Sequence, residues 1–156
     1  MADLKSQIDV EQLNSVRQHN IGRLFLQAHR AFGQRSYAKL HERGYAGLSM
    51  VHTSLLANLD LEGTRITTLA ERADMTKQSM GQLVKDLETQ GYVERIPDPT
   101  DGRASLVKFT ESGWQFLQDA YDVKLEIEAE YVAILGEERF QQLRDMLSEL
   151  VNDQPT

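Results

Sequence analysis

A short polar stretch carries the most suggestive chemistry in this sequence. Lys77, Gln78, Ser79, Gln82 and Lys85 lie close together with no acidic residue among them. An amide side chain can form two hydrogen bonds with the edge of adenine, while lysine and serine can bind phosphate oxygens. Because residues four apart share a helix face, Gln78 and Gln82 would point the same way. The stretch indicates contacts to nucleic acid, although such residues on a helix surface most often only face solvent.

The residues around this stretch predict the elements that would present it. An apolar stripe at helical spacing runs along the same helix: Met80, Leu83, Val84 and Leu87. A second stripe marks a short preceding helix: Ile66, Leu69, Ala70 and Ala73. Between them, Asp74 tolerates a left-handed turn, and Thr76 is a good N-cap. Two short amphipathic helices joined by so short a turn predict a helix-turn-helix.

A β-hairpin is predicted directly after the second helix. Residues 92–96 and 104–109 are rich in β-branched and aromatic side chains, and residues 97–103 are dense in turn formers. The hairpin would therefore have a long tip that carries Arg103, which could reach a narrow minor groove. Arg95 could contact DNA or could pair with Glu94 or Glu88, so we treat it as half structural. A helix-turn-helix followed by a hairpin is a winged helix.

Longer helices are predicted on either side of the winged helix. Residues 11–43 form one long apolar stripe, which we interpret as a single helix bent at Gly22 or Gly33 and ended by Gly44. A helix capped by Ser49 follows, with Gly63 closing it. Thr110 caps another helix that runs to Leu135, and Gly136 separates it from a last helix. We therefore expect a mainly α fold with a small β-hairpin.

The acidic charge of the chain does not argue against nucleic-acid contacts. The 156 residues carry 17 basic and 24 acidic side chains, a net charge of −7. Residues 111–156 hold 11 of the acidic side chains and 3 basic ones, whereas residues 64–110 hold 7 of each. Because charges are screened beyond about 8 Å at physiological salt, the middle segment can still meet phosphate.

Several other classes of site are disfavoured. With no cysteine, the chain can form no disulfide, thiolate metal site or cysteine nucleophile. No pair of histidines has the spacing of a helical metal clamp, and no catalytic motif is present, so we expect no metal, no cofactor and no enzyme activity. The acidic residues Glu126, Glu128 and Glu130 fan around a helix and indicate a solvated face. No apolar run could span a membrane and no secretory signal is evident, so we expect a cytoplasmic protein without membrane contacts.

Residues 48–117 resemble the multiple-antibiotic-resistance regulator (MarR) family of winged-helix transcription factors. The resemblance is carried by residues 68–72 (Thr-Leu-Ala-Glu-Arg), 83–88 (Leu-Val-Lys-Asp-Leu-Glu), 91–95 (Gly-Tyr-Val-Glu-Arg), 98–103 (Asp-Pro-Thr-Asp-Gly-Arg) and 110–113 (Thr-Glu-Ser-Gly). It implies winged helix-turn-helix lobes at residues 48–110 and a helical dimerisation region at residues 1–47 and 111–156. It further implies a homodimer that represses transcription from a palindromic double-stranded operator until a small effector binds.

Two sets of site residues follow. The DNA-binding set is Thr76, Lys77, Gln78, Ser79, Gln82, Lys85, Arg95 and Arg103. The effector of such a family sits between the dimerisation helices and the winged helix, where the candidate contacts are Phe25, His29, His52 and Trp114. A phenolic or anionic aromatic molecule would suit them, but aromatics at helical spacing are more often core residues and such histidines more often structural. An alternative function is a winged-helix protein that acts through protein contacts without DNA, as the net charge and single wing arginine would allow.

Overall fold

The computed structural model of the chain describes residues 9–153, except for the side chains of Gln12 and His19. The chain divides after Arg35 into two compact units. Helices dominate, and the strands form one small antiparallel sheet. The predicted fold class, a mainly α winged helix with a β-hairpin, is therefore confirmed. None of the helices in residues 9–153 is both long and apolar enough to cross a membrane.

The N-terminal region contains two helices where one was predicted. Helix α1 spans Val10–His19 and helix α2 spans Ile21–Leu40. Asn20 interrupts them, because its side-chain oxygen accepts a hydrogen bond from the backbone N–H of Arg23 at 2.9 Å and its amide nitrogen donates to the carbonyl of Val16 at 3.0 Å. An asparagine that binds backbone groups in this way competes with helix continuation. The prediction of a single helix over residues 11–43 is therefore wrong, because the helix is interrupted at Asn20.

The helical stretch that continues α2 leaves helical geometry at Gly44, which confirms the predicted stop there. The helix passes into a π-helical turn, His41–Tyr45, and Gly44 within that turn has φ +102°. The chain then enters α3 (Met50–Asn58), which Ser49 caps by accepting from the backbone N–H of His52. Helix α3 ends before Gly63, which lies in the turn that leads to the first strand.

The winged helix follows in the predicted order, with one extra strand. Its elements are β1 (Thr64–Arg65), α4 (Ile66–Arg72), α5 (Lys77–Thr89), β2 (Val93–Asp98) and β3 (Asp101–Phe109). The sheet order is β1-β3-β2, and Thr64 pairs with Val107 while Val93 pairs with Phe109. Strand β1 was not predicted, because two residues are too few to show an alternating pattern.

The wing is shorter at its tip than the sequence suggested. Strands β2 and β3 extend to Asp98 and Asp101, so only Pro99 and Thr100 lie between them. The register shifts between Pro97 and Asp98, which keeps the strands paired through the turn-forming residues. The predicted long tip of residues 97–103 is therefore wrong, and Arg103 lies on β3 rather than in a loop.

Two long helices complete the chain: α6 (Glu111–Leu135), which Thr110 caps, and α7 (Glu137–Asn152). The core combines α6 with the winged helix and includes Leu56, Val84, Leu87, Val107, Phe116, Val123 and Ile127. The acidic face of α6 is more structural than predicted. Glu126 pairs with Lys39 and Arg43, Glu130 with Lys39, and Glu128 with Arg144.

Candidate nucleic-acid interface

Helix α5 presents its polar face to solvent because its apolar face is buried. Met80, Val84 and Leu87 are buried in the core. The six predicted contact residues at this helix are all exposed: Thr76, Lys77, Gln78, Ser79, Gln82 and Lys85. The structure thus brings together the α5 part of the predicted DNA-binding set. With no acidic side chain in its first turn, the N-terminal end of α5 is suited to a phosphate group.

The start of α5 is fixed by Thr76. The Thr76 hydroxyl accepts from the backbone N–H of Ser79 at 3.1 Å and donates to the Ser79 hydroxyl oxygen at 2.9 Å. Asp74 adopts the left-handed conformation in the turn before it, with φ 50°. Both features agree with the predicted turn, and they set the direction in which the first residues of α5 point.

Asp86, an acidic residue outside the predicted DNA-binding set, lies beside Gln82. The Gln82 amide nitrogen donates to Asp86 Oδ1 at 2.8 Å. The second carboxylate oxygen of Asp86 lies 3.9 Å from His52 Nε2, across from the start of α3. The four-residue spacing of Gln82 and Asp86 was a signal for this pair, because amide and carboxylate side chains pair at that spacing on helices.

The side chain of His52, a predicted effector contact, forms a hydrogen bond at the N-terminus of its own helix, α3. Its Nδ1 lies 3.3 Å from the backbone nitrogen of Ser49 and accepts that N–H, which completes a capping box. Its Nε2 is buried and makes no hydrogen bond to a described residue. His52 therefore faces α5 and Asp86.

The wing is held by a buried carboxylate that the sequence analysis assigned only to a turn. Asp98 accepts from the backbone N–H and hydroxyl of Thr100, at 2.8 Å and 2.7 Å, and from Arg65 Nε at 2.6 Å. The hydrogen bonds from Thr100, followed by that from Arg65, lower the pKa of Asp98 to about 2. Arg65 on β1 and Asp98 on β2 therefore clamp the wing across β3.

The two predicted wing arginines have different surroundings. Arg103 is exposed, and its backbone N–H donates to Asp101 Oδ1 at 3.1 Å. Arg95 pairs with Glu88 at 3.0 Å and donates to the carbonyl of Gly81 at 3.3 Å. Of the two partners proposed for Arg95 from the sequence, the structure selects Glu88. Arg95 thus ties β2 to α5, while Arg103 is available at the surface.

The four effector candidates are divided between the two compact units. Phe25 and His29 lie in the first unit, whereas His52 and Trp114 lie in the second. Trp114 packs against Phe109 with ring centroids 5.3 Å apart. Phe25 is 41% exposed and Trp114 is 45% exposed, so the interpretation of both as core aromatics is wrong for a single chain.

Two cavities lie in the second unit. One, of about 340 Å³, lies between α3, α4 and α5, and its lining includes Met50, Leu69, Met75, Met80 and Leu83. The other, of about 350 Å³, lies along α6 and is lined by Trp114, Leu117, Gln118, Tyr121 and Lys124. Among the described side chains, no group of three or more histidine, aspartate or glutamate residues is arranged to hold a metal ion.

Comparisons with known proteins agree on one family. The profile of the MarR family matches residues 46–104. An HTH-type transcriptional regulator from Mycobacterium tuberculosis is 33% identical over 112 residues, which cover 69% of this chain and 78% of that protein. Transcriptional regulator HosA from Escherichia coli O111:H- is 25% identical over 134 residues, covering 86% of this chain and 93% of that protein.

Solved structures support the same fold. Wild-type MarR in its apo form, from E. coli, superposes with a TM-score of 0.72 at 18% identity, covering 85% of this chain and 96% of that chain. The complex of Staphylococcus aureus MepR with DNA superposes with a TM-score of 0.66 at 19% identity, covering 87% of this chain and 99% of that chain.

Proposed function

Because this chain belongs to the MarR family of winged-helix transcriptional regulators, we propose that it is a homodimeric, sequence-specific repressor that a small molecule releases from its operator. The observation that carries the proposal is the exposed polar face of α5, which is free of acidic residues from Thr76 to Lys85. The major groove of B-DNA, about 12 Å wide, admits a helix of this kind. Solved structures with this fold include MepR bound to DNA, which supports the same use of α5 here.

The proposed contacts fall into two classes. Gln78 and Gln82 would read base edges, because amides match the donor and acceptor pattern of adenine. Thr76, Lys77, Ser79 and Lys85 would bind the phosphate backbone and set the position of α5. Arg103 would enter the minor groove beside the wing, where the negative potential is strongest over narrow segments. Arg95 would contact DNA only with the part of its guanidinium that Glu88 and Gly81 do not use.

Titration against the DNA upstream of its own gene tests the proposal. The logarithm of the affinity should fall linearly with the logarithm of salt concentration, because each phosphate contact releases counterions. Lys77→Ala and Arg103→Ala should weaken binding to all sequences and flatten this slope, whereas Gln82→Ala should mainly relax base preference. Flat and weak binding to every duplex would instead favour a winged-helix protein that acts through protein contacts.

A homodimer is proposed from the uncovered apolar faces. In the first unit, α1 and α2 expose Val10, Leu13, Val16, Ile21, Leu24, Phe25 and Leu26. In the second unit, α7 buries no residue and exposes Leu143, Met146, Leu147, Leu150 and Val151 along one stripe. Apolar patches of this extent are rare on monomers, and a second copy of the chain would cover them. Residues 1–47 and 111–156 would then form the dimerisation region around winged helices at 48–110.

The effector is proposed to be a small phenolic or anionic aromatic molecule. Phe25, His29, His52 and Trp114 remain its proposed contacts, and the cavity beside Trp114 is one place for it. The cavity between α3, α4 and α5 is a second, because a ligand there would touch Met80 and Leu83 of α5. The protein would have one conformation that binds DNA and one that does not. To release DNA, the effector must have a higher affinity for the conformation that does not bind DNA.

Methionine methyl NMR distinguishes the two locations. Met50, Met75 and Met80 line the cavity between α3, α4 and α5, whereas Met146 lies on α7. Adding a phenolic acid such as 4-hydroxybenzoate should shift the first three methyl resonances if that cavity is used, with Met146 as the internal control. A perturbed Trp114 indole signal with unchanged methionines would place the ligand along α6. A molecule that shifts neither set and leaves DNA binding intact is no effector.

A further inference from the structure

The orientation of the Gln82 amide is fixed by its neighbour on α5. The oxygen and nitrogen of a glutamine amide can exchange places by a simple flip, so a free glutamine can offer DNA a donor or an acceptor. Asp86 removes this freedom, because an ionised carboxylate only accepts hydrogen bonds and its Oδ1 lies 2.8 Å from Gln82 Nε2. The flipped amide would place its oxygen against the carboxylate. The amide oxygen of Gln82 therefore points away from Asp86.

Asp86 also lies close to His52, on the side away from Gln82. The Nδ1 atom of His52 accepts the backbone N–H of Ser49, which leaves Nε2 as the ring nitrogen that can donate. That Nε2 is shielded from solvent, makes no hydrogen bond to a described residue and lies 3.9 Å from Asp86 Oδ2. A carboxylate is the favourable neighbour for such a group. Asp86 thus lies between the N-terminus of α3 and the reading face of α5.

We propose that Asp86 is a positioning residue for base recognition, which locks Gln82 in the orientation that accepts from adenine and rejects guanine. This inference rests on the proposed function, since it needs α5 in the major groove. In the locked orientation Gln82 Oε1 accepts from the N6 amino group of adenine, while the second hydrogen on Nε2 remains for N7. Guanine presents an oxygen where adenine presents its amino group, so the same orientation sets two acceptors against each other.

An acidic residue at this place has a second consequence. A carboxylate whose side chain is 43% exposed beside Gln82 repels phosphates on every sequence equally. This repulsion lowers the affinity for every duplex. The hydrogen bond that fixes Gln82 raises the difference in affinity between correct and incorrect sites. Specificity is a difference of affinities, and a repulsive element that acts against the wrong partner is a common way to obtain it. Removing the charge and removing the hydrogen-bond acceptor should thus have separable effects.

The experiment compares two substitutions at residue 86 in the full-length chain. The preferred duplex is first selected from random DNA, and the adenine that Gln82 reads is the position whose preference Gln82→Ala removes. Asp86→Ala should reduce the adenine-over-guanine preference there by about tenfold, mainly through tighter binding of the guanine duplex. Asp86→Asn removes the charge and offers Gln82 a donor as well as an acceptor, so it should raise affinity for all duplexes and lose part of the adenine-over-guanine preference.

Two further variants complete the test. Glutamine at residue 52 can still complete the capping box but lacks the imidazole nitrogen that lies near Asp86. His52→Gln should therefore reduce the adenine-over-guanine preference about threefold. Glu71→Ala removes an exposed acid from α4 and should leave the preference unchanged. Failure of the unaltered chain to bind any duplex would overturn the proposed function and this inference with it. Salt-dependent binding by the unaltered chain, with full adenine preference kept by Asp86→Ala, would overturn this inference alone.

Discussion

At the scale of single residues, the carboxylate of Asp98 shows how the wing is built. The side chain is buried and accepts hydrogen bonds from Thr100 and Arg65, which come from the tip of the wing and from β1. The Asp98 carboxylate accepts a hydrogen bond from the backbone N–H of Thr100, two positions later, and so forms an Asx-turn, which explains why the strands stay paired so close to the tip. The turn-forming residues of 97–103 are thus part of a clamp and not of a long loop.

The depressed pKa of Asp98 predicts a dependence of stability on pH. Its pKa falls from 3.8 to about 2 because Thr100 and Arg65 donate to the ionised form. A lowered pKa in the folded state stabilises the fold above the unfolded value, and this contribution is lost as the pH falls from about 4 through 2. Asp98→Asn should therefore lower the free energy of unfolding at pH 7 and reduce its dependence on pH between 4 and 2. Urea titrations at several pH values measure both.

Asp101→Asn is the matched control for this prediction. It removes the same charge from the neighbouring strand end, at an exposed residue that accepts only from the N–H of Arg103. Its unfolding should follow that of the unaltered chain over the same pH range. If Asp98→Asn and the unaltered chain lose stability in parallel on acidification, the clamp is not the source of the effect.

At the scale of elements, the sequence predicted best those features that are encoded locally. The helix starts at Ser49, Thr76 and Thr110 were predictable because an N-cap acts within one turn of its own helix. The break at Asn20 was missed because periodicity continues through it. Strand β1 was missed because its two residues show no alternating pattern and pair with Leu106 and Val107, far along the chain. The short wing tip was missed because Arg65 and Asp98, which hold it, are 33 residues apart.

The same limit applies to the candidate site. The exposed face of α5 followed from its apolar stripe, so the part of the DNA-binding set on α5 could be placed from the sequence. Asp86 and its contact with His52 could not, because that contact joins α3 to α5. Contacts between elements decide whether a polar side chain on the exposed face of α5 is free to rotate or is fixed by a neighbour.

The junction between the wing and α6 depends on one glycine. A Cβ atom at Gly113 would lie 2.1 Å from the carbonyl oxygen of Tyr92 and 3.0 Å from Phe109 Cδ1. The N-terminus of α6 is also fixed here, because the backbone N–H of Thr110 donates to the same carbonyl at 3.1 Å. Gly113→Ala should therefore force α6 away from the wing and destabilise the fold by at least the roughly 1–3 kcal/mol that overpacking costs. Thermal and urea unfolding measure the loss.

Gly81→Ala is the contrasting change, because a Cβ atom there meets nothing within 4 Å. Since alanine favours a helix interior over glycine by about 0.5–1 kcal/mol, this variant should be more stable than the unaltered chain. On the proposed reading face, however, the added methyl group would stand between α5 and DNA, so operator affinity should fall while stability rises. An increase in stability with unchanged affinity would mean that DNA does not approach Gly81 closely.

At the scale of the whole molecule, charge and apolar surface are segregated along the chain. Residues 111–156 carry 11 acidic and 3 basic side chains, whereas residues 64–110 are balanced. Three of these acidic side chains, Glu126, Glu128 and Glu130 of α6, pair with Lys39, Arg43 and Arg144, so a small part of this charge is neutralised locally. The C-terminal helices can thus combine an acidic composition with an apolar stripe, and DNA and a second copy of the chain would meet different surfaces.

The apolar stripe of α7 provides a test of how the two proposed winged helices act together. Leu147→Glu would place an unpaired charge in the proposed dimer interface, a change that typically costs about 3–5 kcal/mol and would raise the dimer dissociation constant by about two orders of magnitude or more. Gln141→Glu adds the same charge to the opposite side of α7 and should leave the dimer intact. Sedimentation velocity over a range of concentrations distinguishes these outcomes.

DNA binding by the same two variants then reports on symmetry. A dimer engages both halves of a palindrome, and the second contact is effectively intramolecular, so its loss lowers affinity without any change in the contacts of one winged helix. Leu147→Glu should therefore bind a full palindrome with nearly the same affinity as an isolated half-site. The salt dependence of its affinity for the half-site should match that of the unaltered chain. If Leu147→Glu remains a dimer at micromolar concentration, or becomes a monomer that keeps full affinity for the palindrome, the stripe on α7 does not join the two reading helices.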